Sequence, residues 1–300
     1  MKLLREIAIV GAPDDYLYAR IRSRRAALDT SGRGSWSGPA EPRLALRAEY
    51  RWVYSQLNQR SRRKLLPLFE YAELRTLVIA LRYLAAEEHS EKTAQLQLSL
   101  LQPQLRKLLL GTEPISVVLS ALQRMLAADY PYFSGLLETY LRQGPGGLEQ
   151  ALLGGCLQRA VKTTRCRPVR ELLVYLLDMR NLLAVYKHLH WQVTAPPPLL
   201  SGGELETALL KKIWAAGDLS GLLNLVVKRA GQPGDPEKTG VEDFLLQGLS
   251  SKLRRGGREP LQLALLLDYL WRCQLAARNR GLLLSDAVVP VRPLPVEVAK

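Results

Sequence analysis

Residues 171–190 read ELLVYLLDMRNLLAVYKHLH, and five residues further on comes PPPLLSGGEL. Apolar residues at Leu172, Leu176, Met179, Leu183 and Tyr186 recur at steps of three and four, which lines one face of a helix. Leu173, Leu177 and Leu182 widen that stripe, so the spacing predicts a largely buried helix bearing Asp178, Arg180 and Asn181. Weaker echoes stand on both sides. Upstream, YAELRTL sets Glu73, Arg75 and Leu77 in the register of Asp178, Arg180 and Leu182, with Thr76 in place of Asn181 (178 − 73 = 105). Downstream, LAARNR keeps Arg278 and Asn279 but has Ala276 at the acid position (276 − 178 = 98). A pattern that returns in this way predicts one helical unit used three times, an architecture that points to a scaffold before an enzyme.

The composition agrees with helices. Aromatic residues make up 7% of the chain, whereas Leu runs through nearly every segment beside Ala, Arg, Gln and Glu, which enter helices at little entropic cost. With 47% hydrophobic and 23% charged residues over 300 positions, a sizeable core can be buried. The expectation is a single all-α domain, 1–300, with approximate repeats at 1–110, 111–200 and 201–300. No apolar run reaches membrane-spanning length, since LQLALLLDYLW is interrupted by Asp268. Arg5 and Glu6 break the apolar run of MKLLREIAIVGAP, which is unlike a secretory signal. Cys156, Cys166 and Cys273 lack C-x-x-C spacing and fit a reduced, cytosolic setting.

Forty-two Lys and Arg against 28 Asp and Glu give a net charge of +14. Such an excess attracts nucleic acid, an anionic membrane surface or an acidic protein, without choosing among them. Its clusters, Arg20 to Arg25, Arg60 to Lys64 and Lys252 to Arg258, are short and dispersed, and read as solvated helix faces.

Breaks in the pattern place the helices. Asp14 or Asp15 is expected to cap YLYARIRSRRAAL. Residues 30–42 read as a loop, and 43–88 as two helices broken near Ser61 or Pro67. Thr112 is expected as an N-cap ahead of Pro114, Gln143 to Gly147 as a break, and Pro168 at a helix start. Pro196 to Pro198 and the turn at Gly202-Gly203 precede a helix expected from Leu205. The last helix is expected after Gly256-Gly257, with Pro260 in its first turn, running past Asn279 into an extended tail.

Catalytic and ligand-binding patterns are missing. IAIVGAP is followed by neither G-x-G-x-x-G nor a phosphate loop, and Asp14 and Asp15 would stand where phosphate should sit. His188 and His190 are two apart, do not share a helix face, and lack a third ligand nearby, so helix-end carbonyls are their expected partners. There is no H-E-x-x-H and no G-x-S-x-G. Neither a metal nor a cofactor is expected. Asn181 is expected to hydrogen-bond the exposed end of a neighbouring helix, and Asp178 either to pair with a basic residue or to cap another helix.

These motifs, in order, resemble the family of C-type and d-type rotor subunits of V-type and A-type rotary ATPases. The resemblance covers nearly the whole chain: the opening helix Tyr16 to Arg22, with Leu28; Glu73 to Leu77; Asp178 to Leu182 with Gly202-Gly203; and the closing stretch with Pro260, Tyr269, Arg278 and Asn279. It departs at Thr76, where the family pattern has Asn, and at Gln274 and Ala276, where acids are usual. The resemblance implies a funnel-shaped protein of three helical units around a pseudo-threefold axis, without an active site. It would be peripheral, on the cytoplasmic face of the membrane, between the membrane rotor ring and the central stalk of an ion-transporting ATPase, binding neither nucleic acid nor a small-molecule substrate. The rival reading is a basic helical nucleic-acid-binding or adaptor protein that uses Arg20 to Arg25 and Arg60 to Lys64. An enzyme of unknown chemistry ranks last, for want of a convergent acid, base or nucleophile.

Overall fold

A computed structural model describes residues 1–6, 11–30, 41–86, 89–259 and 262–284. Among these the protein is all-α, the only extended pairing being an isolated antiparallel bridge between Leu4 and Leu101. Packing separates two compact units, 1–17 with 36–160 and 18–35 with 161–300. The apolar run at 7–10, most of the loop at 30–42, Pro260 and the C-terminal tail lie outside the described residues.

Helix α1, Asp14–Thr30, begins in the first unit, which also holds α2 (Pro42–Gln56), α3 (Gln59–Ala85), α4 (His89–Gln97), α5 (Pro103–Leu110) and α6 (Ile115–Leu126). Helix α7 follows at Leu136–Thr163. The α2–α3 break falls at Leu57-Asn58, ahead of both Ser61 and Pro67. There the Asn58 carboxamide oxygen accepts from the Ser61 N–H at 2.9 Å, a side-chain cap that starts α3. Asn58 and the Ser61 hydroxyl both donate to the Asp14 carboxylate, at 2.7 and 3.0 Å, so Asp14 anchors the start of α3. Pro67 lies within α3, where it removes its N–H from the helical ladder without ending the helix. Phe69 of this helix is fully buried against the edges of Tyr50 and Tyr54.

The N-cap of α6 is Pro114 rather than Thr112, and it makes no side-chain capping bond. The expected Gly/Pro break is a kink within α7, where Gly144 takes a φ of 68° that side chains resist. Near the amino terminus the Arg5 N–H donates to the Leu100 carbonyl at 2.9 Å, and the Gln102 N–H to Leu3 at 3.0 Å. These bonds lay the first residues along the segment between α4 and α5.

The second unit contains α8 (Arg167–His190), α9 (Thr207–Ala216), α10 (Leu219–Ala230), α11 (Pro236–Thr239), α12 (Val241–Gly256) and α13 (Leu263–Leu284). Pro168 sits in the first turn of α8, and α9 starts two residues later than Leu205. One core joins Leu182 and Val185 of α8 to Leu210 and Ile213 of α9, Leu222 and Val226 of α10, and Phe244 and Leu245 of α12. Each such side chain contributes roughly 1.5–3 kcal/mol on burial. The buried face of α8 runs through Val174, Asp178, Asn181 and Val185, while Leu176, Met179, Leu183 and Tyr186 are half-buried. The stripe is rotated because two polar residues take places in the interior. Among the described residues no helix is long and apolar enough to cross a membrane.

Candidate functional site

Asp178 and Asn181 lie one turn apart on the buried face of α8 and grip the segment that leads into α9. The Asn181 carboxamide donates to the Leu200 carbonyl and accepts from the Leu200 N–H, both at 2.8 Å. Its partner is thus a single residue of extended chain rather than a helix end. The Asp178 carboxylate accepts from the Glu204 and Leu205 N–H groups at 3.2 and 3.3 Å, just before the α9 N-cap Glu206. It also pairs with Arg229 of α10 at 2.9 Å, so it both holds backbone and meets a cation. Burial pushes the Asp178 carboxyl above its ordinary pKa, and Arg229 with the two N–H groups opposes that shift.

Arg229 is fixed in turn. Its guanidinium lies 4.4 Å from the centre of the Tyr175 ring and pairs with Glu204 at 2.9 Å. The Tyr175 hydroxyl donates to the Leu245 carbonyl of α12 at 2.7 Å. Asp178 thus joins α8 to α10 and to the loop before α9, and Tyr175 ties α12 to the same neighbourhood.

The two glycines of the turn have separate reasons. Gly202 adopts a φ of 103°, in the region that favours glycine. A Cβ on Gly203 would lie 1.9 Å from Asp178 Oδ1, so the short aspartate reaches the backbone only where no side chain intervenes.

The first unit contains the same arrangement. Glu73, buried on α3, accepts from the Ser99 hydroxyl at 2.7 Å, from the Leu100 N–H and from Thr76. The partners stand at equal distances along the chain: 99 − 73 = 26 and 100 − 73 = 27, against 204 − 178 = 26 and 205 − 178 = 27. The 105-residue offset seen in the motifs thus extends to what the motifs bind. Leu98 occupies the place of Gly203 (203 − 105 = 98), and the acid opposite is the longer glutamate. Thr76 is too short to do what Asn181 does. The carbonyl at the place of Leu200 is that of Gln95 (200 − 105 = 95), and Arg47 of α2 donates to it at 2.7 Å. Burial raises the Glu73 carboxyl above its ordinary pKa, against the hydrogen bonds from Ser99 and Leu100 and the charge of Arg47.

The third copy is organised differently. Ala276 is buried on α13, and Arg278 pairs with Asp243 of α12 at 2.6 Å. The buried acid of this helix is Asp268, two turns earlier, which meets Arg25 of α1 at 3.0 Å and Arg272 at 3.1 Å. Gly257 makes room for it, since a Cβ there would come within 2.8 Å of the Asp268 Cβ. Asn279 is largely buried.

Of the remaining motif residues, Leu77 and Leu182 are fully buried, Arg180 is half-buried, and Arg75 is exposed. The His188 ring lies 2.8 Å from the Ala184 carbonyl through Nδ1, and His190 stacks on Tyr186. Among the described residues no group of three or more His, Cys, Asp or Glu is placed to hold a metal ion.

Sequence reasoning missed Arg229, Tyr175, Ser99, Arg47 and the Arg25–Asp268 pair. A signal for Ser99 and Leu100 existed, because extending the 105-residue offset past the motif would have aligned them with Glu204 and Leu205. A scan against protein-family models finds no match to this chain, and a search of curated proteins finds none either.

Proposed function

We propose that this protein is a non-catalytic scaffold of the kind it resembles, a central-rotor component that links the membrane rotor ring to the central stalk of a V/A-type ATPase. The observation that carries the reading is the paired acid-to-loop lock, present twice at the 105-residue offset on the helices that bear the family-like motifs. Polar groups buried deep in these helices are engaged with the protein's own backbone, which suits a body that transmits force. A torque-bearing part must resist deformation, and dense helical packing with its loops tied down provides that stiffness. The funnel of three helical units and the peripheral position on the cytoplasmic face belong to this proposal.

The test is recovery of partners. Tagged protein expressed in its own host and extracted from gently solubilised membranes should bring down ring and stalk components of a rotary ATPase. Recovery of the protein without them would refute the assignment.

One observation favours the rival reading of an anion-binding adaptor. Arg25 donates to the Gly257 carbonyl at 3.2 Å, so the fold unites the basic clusters at 20–25 and 252–258, which are remote in sequence. That reading expects binding to DNA or RNA that weakens steeply with added salt.

A further inference from the structure

The end of α8 is a closed turn that leaves large apolar side chains in solvent. The Gln192 N–H donates to the Leu189 carbonyl at 3.2 Å and the Val193 N–H to the His188 carbonyl at 2.9 Å, the paired bonds that finish a helix through a left-handed residue. Glycine is usual there, yet here the residue is Gln192, φ 52°, the one residue other than glycine with a positive φ among the described residues. On either side of it Trp191, 65% exposed, and Val193 face water. In the second unit the exposed large apolar side chains among the described residues are these two and Leu209 of α9, so all three belong to one hairpin.

Lysines accompany this hairpin. Because Leu205 is held beside Asp178, and Leu210 and Ile213 share a core with Leu182 and Val185, α9 advances in the same direction as α8. Its second half therefore brings Lys211 and Lys212 towards the end of α8 that carries Lys187, and all three lysines are exposed. No acid stands between Asp178 and Glu204 or between Glu206 and Asp218. Asp218 itself caps α10, accepting from the Gly221 N–H at 2.8 Å.

We propose that the turn at Trp191 to Val193, with Lys187, Lys211 and Lys212, docks on the surface of an anionic lipid bilayer. An indole suits the headgroup zone, where its ring is in apolar surroundings and its N–H is wetted, and each lysine nearby adds attraction to anionic headgroups. Size argues against a protein partner. A tryptophan side chain buries about 150–250 Å², far short of the roughly 800 Å² per side of a specific protein interface, whereas a bilayer needs only a shallow apolar anchor backed by charge. The rotary-ATPase reading assigns no contact to this turn, so the proposal stands if that reading falls.

The test floats purified full-length protein with phosphatidylcholine vesicles, with and without phosphatidylglycerol, at about 0.15 M salt, with no ATPase component present. Anionic vesicles should be bound at least about tenfold more tightly than neutral ones. Trp191→Ala, which leaves the net charge unchanged, should weaken that binding by about tenfold, and Lys211→Gln and Lys212→Gln by about fivefold each. All three variants should keep the parent's thermal midpoint, because the side chains removed are exposed. Leu141→Ala, at an exposed apolar residue of the first unit, and Arg255→Gln, at an exposed cation elsewhere in the second, should change binding by less than about twofold. Phosphatidylglycerol with brominated chains should quench the tryptophan fluorescence of the parent more than that of Trp191→Phe. Absence of vesicle binding, equal effects of Trp191→Ala and Leu141→Ala, or a larger loss in Arg255→Gln overturns the proposal. Retention on immobilised polyglutamate that depends on Trp191, without vesicle binding, assigns the turn to an acidic protein and overturns it too.

Discussion

The locks at Asp178 and Glu73 share geometry but not chemistry. In the second unit a short acid meets backbone through a glycine, is neutralised by Arg229, and is helped by Asn181. In the first, a longer acid relies on hydroxyls and an N–H, and leaves the neighbouring carbonyl to Arg47. What is shared is the demand that a buried carboxylate bind the chain 26 and 27 residues onward. The means differ because each substitution at one point changes what its neighbours must supply. The Asp178 lock centres on one ion pair, whereas the Glu73 lock is made of hydrogen bonds to neutral groups.

The largest expected effect breaks that contrast most directly. Asp178→Ala strands Arg229 and two N–H groups, and should destabilise the protein by about 3–5 kcal/mol in urea unfolding. Glu73→Ala strands only neutral partners in contact with it and should cost about 1–3 kcal/mol. Equal losses would show that the ion pair adds nothing.

Next, Gly203→Ala places a methyl group against Asp178 and should cost about 1–3 kcal/mol through forced displacement. Leu98, at the equivalent place, accepts a side chain, so Leu98→Val should cost less than about 1.5 kcal/mol by the same measurement.

A residue swap sharpens the comparison further. Asn181→Thr, which copies the first unit, leaves both Leu200 groups unpaired and should cost on the order of 2 kcal/mol. Thr76→Asn enters a site where Arg47 already holds Gln95, and should shift the unfolding midpoint less.

Glu73 also predicts a pH dependence. Its folded pKa is raised, so its contribution is complete below the ordinary value of 4.5 and is lost as pH rises through the folded value. Glu73→Gln cannot ionise, so the stability of this variant relative to the parent should increase as pH climbs from below 4.5 towards neutrality. A difference that stayed flat, or fell, would contradict the assigned desolvation. The smallest effect should come from exposed Arg75→Ala, within about 0.5 kcal/mol of the parent, although Arg75 stands in the motif beside Glu73.

The sequence made the all-α class legible, as it did the helix that bears Asp178 and the importance of Gly202-Gly203, because periodicity and helix-breaking residues are local signals. Spacing placed Leu176, Met179, Leu183 and Tyr186 on the apolar stripe of α8, yet these are half-buried, because Asp178 and Asn181 take interior places where their bonds are made. The N-cap of α3 falls three residues before Ser61, the nearer of the two expected breaks, because Asn58 caps the helix through its own side chain, while Pro67 is tolerated inside it. Arg229 and Arg47 were invisible for another reason. Each comes from a different helix from the acid it serves, and no spacing rule connects them. The third copy shows the same limit: Ala276 holds the register, while the buried acid sits at Asp268 and takes a partner from α1.

Between the end of α8 and the pinned residue Leu200, six consecutive residues, Trp191 to Pro196, are exposed. The grip of Asn181 and Asp178 fixes where the chain must return but not how far it travels first. This tip is therefore the natural place to lengthen the protein. A peptide epitope or a small fluorescent domain inserted between Val193 and Thr194 would ride on the outside, and the register of everything after Leu200 would be preserved.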